Sequence, residues 1–148
     1  MYLNARKFTT EYSNPKDFEA LCAALKLDGS KMSEFPSISV TVSVAYWRKS
    51  NQIHKWFVDN VQDGKDNCDE YPVNRATLKK LQDLCVEVIK NKDIAKDTLP
   101  TQEGFFFGSY EYDDWYFHDL EDTINQIQDV LENYKEEDNW SLSYQSSW

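Results

Sequence analysis

Apolar positions along the chain switch between a period of two and a helical period, and the switches mark out its elements. Tyr2 to Thr10 opens with alternation and predicts a strand. Asn14-Pro15 reads as a helix start, with Asn14 as N-cap and Pro15 in the first turn, where its missing N–H costs nothing. Phe18, Leu21, Cys22 and Leu25 follow at helical spacing, and Gly29 is expected to end that helix. Ile38, Val40, Val42 and Val44 alternate with Ser39, Thr41 and Ser43, which predicts a strand with one apolar and one polar face. The alternation breaks at Ala45. Tyr46, Ile53, Phe57 and Val61 share a helical face, so a helix is expected to run from near Ala45 to Val61.

Asp63-Gly64 is a turn signal, and an acidic loop leads from it to Pro72. Asn74 is expected to cap a helix that turns Leu78, Leu81, Leu84, Cys85, Val88 and Ile89 inward, and residues 91–104 read as a loop. Phe117, Leu120, Ile124, Ile127, Leu131 and Tyr134 are spaced alternately three and four apart, the seam of a long amphipathic helix. Trp140, Leu142 and Tyr144 alternate with Ser141 and Ser143 and predict a final strand. Together these give one α+β domain over residues 1–148, with an antiparallel sheet of about three strands and about four helices.

Composition narrows the function classes. The chain has 148 residues, one domain's worth. No apolar run approaches the roughly 20 residues of a membrane helix, and no signal peptide opens the sequence, so no membrane association is expected. Cys22, Cys68 and Cys85 lack metal or redox spacing and fit a reducing compartment. The net charge is −10, which argues against direct binding to nucleic acid. The excess is local: residues 100–148 hold 12 of the acids and a single base, Lys135. That asymmetry predicts an acidic surface for a protein partner with a basic face, against the plainer alternative of a solvated helix face.

Candidate chemistry is sparse. Asp59 to Glu70 has the length of a calcium loop, with Asp63 at position 5, Gly64 at position 6 and Glu70 at position 12. Val61 at position 3 offers no side-chain oxygen and Asp66 replaces the usual apolar residue at position 8, so no metal is expected there. His54 and His118 stand apart, no GxSxG-type turn exists, and no His or Cys pair has zinc spacing. Neither catalytic residues nor a cofactor are therefore assigned.

Two surfaces remain. The first is the segment from Phe105 to Phe117, where aromatics interleave with carboxylates and whose rings cannot all share one helix face. With the following helix it supplies the expected partner-binding set Tyr110, Tyr112, Asp113, Asp114, Trp115, Asp119, Asp122 and Asp129, since Trp and Tyr dominate interface hot spots. The plainer alternative is that these rings line the core. The second is Trp47, Arg48, Asn51, His54 and Trp56, where Arg and His could hold phosphate and Trp could stack on a base. That set would suit a nucleotide-sequestering protein or a small enzyme.

The string from Tyr46 to Val58, YWRKSNQIHKWFV, together with Asn67-Cys68, Leu99-Pro100-Thr101, the Gly104 to Ser109 block, Tyr112-Asp113 and Trp115-Tyr116, resembles a family of small proteins encoded by bacteriophages and prophages. The resemblance implies a setting, the cytoplasm of a bacterial host, and no catalytic residue. By analogy with small acidic phage proteins outside the virion, it implies inhibition of host machinery such as a defence nuclease or another nucleic-acid-binding protein.

Overall fold

Strand β1 (Tyr2–Thr10) alternates as its sequence requires: Leu3 and Ala5 are buried, while Tyr2, Arg6 and Phe8 face outward. In a computed structural model that describes residues 1–104 and 108–147, this strand is the inner spine of an antiparallel sheet. Strand β2 (Ser37–Tyr46) pairs with one side of it and β4 (Trp140–Gln145) with the other; β3 (Tyr71–Val73) completes the far edge, in the order β2-β1-β4-β3. Helices α1 (Pro15–Leu25), α2 (Asn51–Asn60), α3 (Arg75–Lys90), α4 (Ala95–Thr98) and α5 (Asp114–Asn133) complete a single α+β domain.

The core forms where one sheet face meets α2, α3 and α5. Leu3, Ala5, Leu142 and Tyr144 pack there in one cluster with Ile53, Phe57, Leu78, Leu81, Leu120 and Ile127. Phe57 stacks flat on Tyr144, ring centroids 3.9 Å apart and planes 7° apart. Burial of this continuous apolar surface is the main term holding the fold together. Among the described residues, no helix is long and apolar enough to cross a membrane.

Caps fix several boundaries. Asn74 accepts the Thr77 N–H at 2.7 Å, as its position predicts, and Asp113 does the same for Tyr116 at 3.1 Å. Asn14 precedes α1 as expected but makes no side-chain cap bond, and α1 ends at Lys26 in the left-handed region (φ 56°) rather than at Gly29, which opens a 3-10 turn. The last turn of α5 holds no basic residue of its own. Arg75, at the start of α3, supplies the cation instead, donating to the carbonyls of Leu131 and Tyr134.

Three further expectations need correction. The helix placed from Ala45 begins only at Asn51, because β2 continues through Tyr46. The ladder pairs Leu3 with Ala45 but Asn4 with Ser43, so Val44 is the extra residue of a β-bulge. The break in alternation at Ala45 is this bulge, which swings Ala45 to the core side. Backbone bonds between Met1 and Trp47 in both directions extend the ladder further. The acidic loop hides a fourth strand, Tyr71–Val73, too short to show a period; Pro72 is tolerated because the strand lies at the edge. The loop over 91–104 contains a 3-10 turn and α4.

Candidate functional site

Most of the second candidate set points into the protein. Trp47 is buried, and its indole N–H donates to Thr123 Oγ1 at 2.9 Å. Trp56 packs edge-on against Phe57 in the core. Asn51 is buried and ties down a loop: its amide donates to the Ser109 carbonyl and its Oδ1 accepts the Gln102 N–H, both at 3.0 Å. His54 is fully enclosed. Of the five, Arg48 alone stands at the surface.

His54 links parts of the chain that sequence reading left apart. Its Nδ1 lies 2.8 Å from the Tyr144 hydroxyl and its Nε2 3.1 Å from Asp66 Oδ1. The neutral tautomer with its proton on Nε2 satisfies both, donating to the carboxylate and accepting from the phenol. Burial pushes the His54 pKa below its ordinary value, more strongly than Asp66 pulls it up. Burial also raises Tyr144. Nothing in the spacing of residues 54, 66 and 144 signals this contact.

The first candidate set divides. Asp113 is the α5 cap. Tyr112 is half-buried against Tyr116, with its hydroxyl accepting from the Thr101 N–H, and the Tyr110 hydroxyl donates to the Gly104 carbonyl at 2.8 Å. Asp119 turns inward toward Gln52, and burial, the largest influence, raises its carboxyl above the usual range despite bonds from Ser50 and Gln52. Asp114, Trp115, Asp122 and Asp129 are exposed. Trp115 is 75% exposed, the largest exposure among the big hydrophobic side chains described. Trp115, Asp122 and Asp129 follow at intervals of seven and so form one line along the outer face of α5. Glu121 and Glu132, which the sequence reading did not single out, are also exposed on this helix. None of the ion pairs described among these residues involves an α5 carboxylate. Asp122 is less free than Asp129, because it accepts from Gln126, whose amide also pairs with the Tyr46 N–H and C=O at the end of β2.

A cavity of about 270 Å³ brings the two sets together, with Arg48, Lys49 and Gln52 on one side and Trp115, Tyr116 and Asp119 on the other. Lys49 adopts φ 64°, and a Cβ at Gly108 would sit 3.4 Å from its Cβ and carbonyl oxygen, so the loop crosses here at close range. The carboxylates of the calcium-length loop diverge: Asp59 pairs with Lys55, Asp66 faces His54, and Glu70 meets Ser143 and Arg6. Among the described residues no group of three His, Cys, Asp or Glu side chains is placed to hold a metal. Phe105, Phe106 and Phe107 of the aromatic segment lie outside the described residues. No family model, curated protein or solved structure matches the chain.

Proposed function

We propose that this chain is a non-catalytic binding protein that docks the outer face of α5 on a basic surface of a protein partner. The observation that carries the reading is Trp115, exposed beside α5 carboxylates that have no ion-pair partner among the described groups. An aromatic anchor that becomes buried on docking, inside a polar rim, is the usual anatomy of an interface. Carboxylates along one helix face also match a groove built for phosphates, which fits a bacterial nucleic-acid-binding protein, including a defence nuclease, in the phage setting the sequence resemblance implies.

The test uses Trp115→Ala and Asp129→Lys, two exposed positions whose side chains cap nothing. Co-purification from bacterial lysate at low salt is expected to recover a partner whose affinity falls as salt rises and is lost in both variants. A partner held equally by both folded variants, or binding indifferent to salt, overturns the reading. The cavity between Arg48 and Trp115 favours one second reading, a small anionic ligand with an aromatic ring. Native mass spectrometry of the purified protein would reveal such a ligand as added mass.

A further inference from the structure

The two edges of the sheet are built differently. Strand β3 is three residues long, contains Pro72, which has no N–H to offer, and follows Asp69-Glu70. A short edge with proline and flanking charge resists pairing with another strand. Strand β2 is ten residues long and contains no charged residue and no proline from Ser37 to Tyr46. Its outer backbone is covered at one point only among the described residues, where the Gln126 amide brackets Tyr46. Beyond it, alternate N–H and C=O groups of the antiparallel ladder face away from β1 with no described partner.

We propose that two copies of this chain pair through β2, antiparallel about a two-fold axis near Thr41, and join their sheets into one. The occupant is a second copy because the strand complements itself. With Thr41 opposite its own image, Val40 meets Val42 and Ser39 meets Ser43 of the other copy, so apolar side chains face apolar and hydroxyls face hydroxyls. Charge selects the same surface. Residues 1–46 hold five Lys or Arg and five Asp or Glu, so the whole net charge of −10 lies in the rest of the chain. Two like-charged copies therefore meet with least repulsion along β1, α1 and β2. Eight of the ten exposed large hydrophobics among the described residues, Tyr2, Phe8, Tyr12, Leu25, Leu27, Phe35, Val42 and Tyr46, belong to this neutral part; the other two are Tyr110 and Trp115. Phe35, Val42 and Tyr46 flank the edge and add apolar area toward the roughly 1,200 Å² that a stable pair buries.

Sedimentation equilibrium of the full chain, across a concentration series at low and high sodium chloride, tests this. The wild type is expected to shift from 17.4 kDa to twice that mass, and to associate more tightly as salt screens the repulsion between copies. Val42→Lys is expected to weaken association about a hundredfold or more, because it brings like charges together across the axis. Thr41→Pro removes an outward donor at an edge position and is expected to have the same effect. Circular dichroism checks that each variant folds, and Ser39→Lys carries the test if either does not. Slowed amide exchange at Ser39, Thr41 and Ser43 in the dimer would place the contact on this edge. A wild type that stays monomeric at every concentration and salt overturns the proposal. So does a dimer that survives the edge variants. The opposite salt dependence, and the indifference of this dimer to Trp115→Ala, separate its failure from failure of the partner-binding reading.

Discussion

His54 Nδ1 and the Tyr144 hydroxyl oxygen lie 2.8 Å apart with neither residue exposed, and the contact joins α2 to the central part of the sheet. A neutral imidazole accepts the phenol proton at Nδ1; a protonated ring would reverse that bond, donating to the phenol oxygen, and would place a charge where burial disfavours it. Stability should therefore depend on pH in one direction. Burial holds the folded His54 pKa below its ordinary 6.5, whereas the unfolded chain titrates near that value. Above 6.5 both states are neutral and the contribution is complete; below it the unfolded state takes up a proton that the folded state resists. Denaturant melts are expected to show stability falling below pH 6.5, with a slope of at most about 1.4 kcal/mol per pH unit from this one group. His54→Gln should be less stable at neutral pH and flatter through this window. An unchanged slope would remove His54 as the cause.

Leu120 and Ile127 are fully buried on the core side of α5. Truncating either to Ala removes transfer energy and leaves a cavity, with an expected cost of about 2–5 kcal/mol in chemical denaturation. Glu121→Ala, on the exposed side of the same helix, should stay within about 0.5 kcal/mol. Equal small effects at all three positions would mean that this face of α5 is not packed.

Sequence legibility follows the length and regularity of each element. The α5 seam was readable because its spacing persists for five turns, although the buried set centres one residue away, on Tyr116, Leu120, Thr123, Ile127 and Val130. Thr123 breaks the apolar pattern yet belongs to the core, because Trp47 donates to its hydroxyl and its hydroxyl donates to the Asp119 carbonyl. The bulge at Val44 imitated a strand end, since one inserted residue reverses the alternation just as a change of element does. Trp47 and Trp56 look like stacking platforms in sequence, and only the tertiary contacts show that both rings are enclosed. The exposure of Trp115 could be anticipated from the crowding of aromatics around it. The contacts of Arg75 with Leu131 and Tyr134 and of Gln126 with Tyr46 span 56 residues or more along the chain, the contact of Asp66 with His54 lies across a turn without period, and no local pattern encodes them.

Asp119→Asn is expected to stabilise the protein at neutral pH. Burial raises the folded carboxyl above its ordinary 3.8, so the protonated form is the one the fold prefers. Its favourable contribution is present below that value and is lost as pH rises through the raised folded pKa, above which the fold carries a half-buried charge. Asn keeps an oxygen for Ser50 and Gln52 without the charge. The melting temperature of the variant should exceed that of wild type near pH 7, and the two should converge in acid. Asp129→Asn, which lowers the net charge equally at an exposed site, controls for general repulsion and should give a smaller rise.

Asn51 holds the loop between α4 and α5 at two points, and its removal should loosen that loop without unfolding the domain. The amide group donates to the Ser109 carbonyl and the carbonyl group accepts from the Gln102 N–H, so one side chain spans both arms of the loop. Thr101 and Tyr110 bridge the arms further along. Asn51→Ala leaves both backbone groups without their buried partner, at an expected cost of about 1–3 kcal/mol. Asn51→Asp keeps the acceptor for Gln102 but loses the donor to Ser109, so one of the two bonds should survive. Amide exchange at Gln102 separates the two variants: it should accelerate strongly in the Ala variant and much less in the Asp variant, while the Leu120 and Ile127 amides in the core change only with global stability. Equal protection of Gln102 in wild type and Asn51→Ala would show that the remaining loop contacts hold it unaided. The clamp also sets where the loop crosses Lys49 at Gly108, beside the cavity that Trp115 lines. Loosening it should therefore weaken any ligand or partner that uses the Arg48 side of that cavity, and leave contacts further along α5, at Asp129, unaffected.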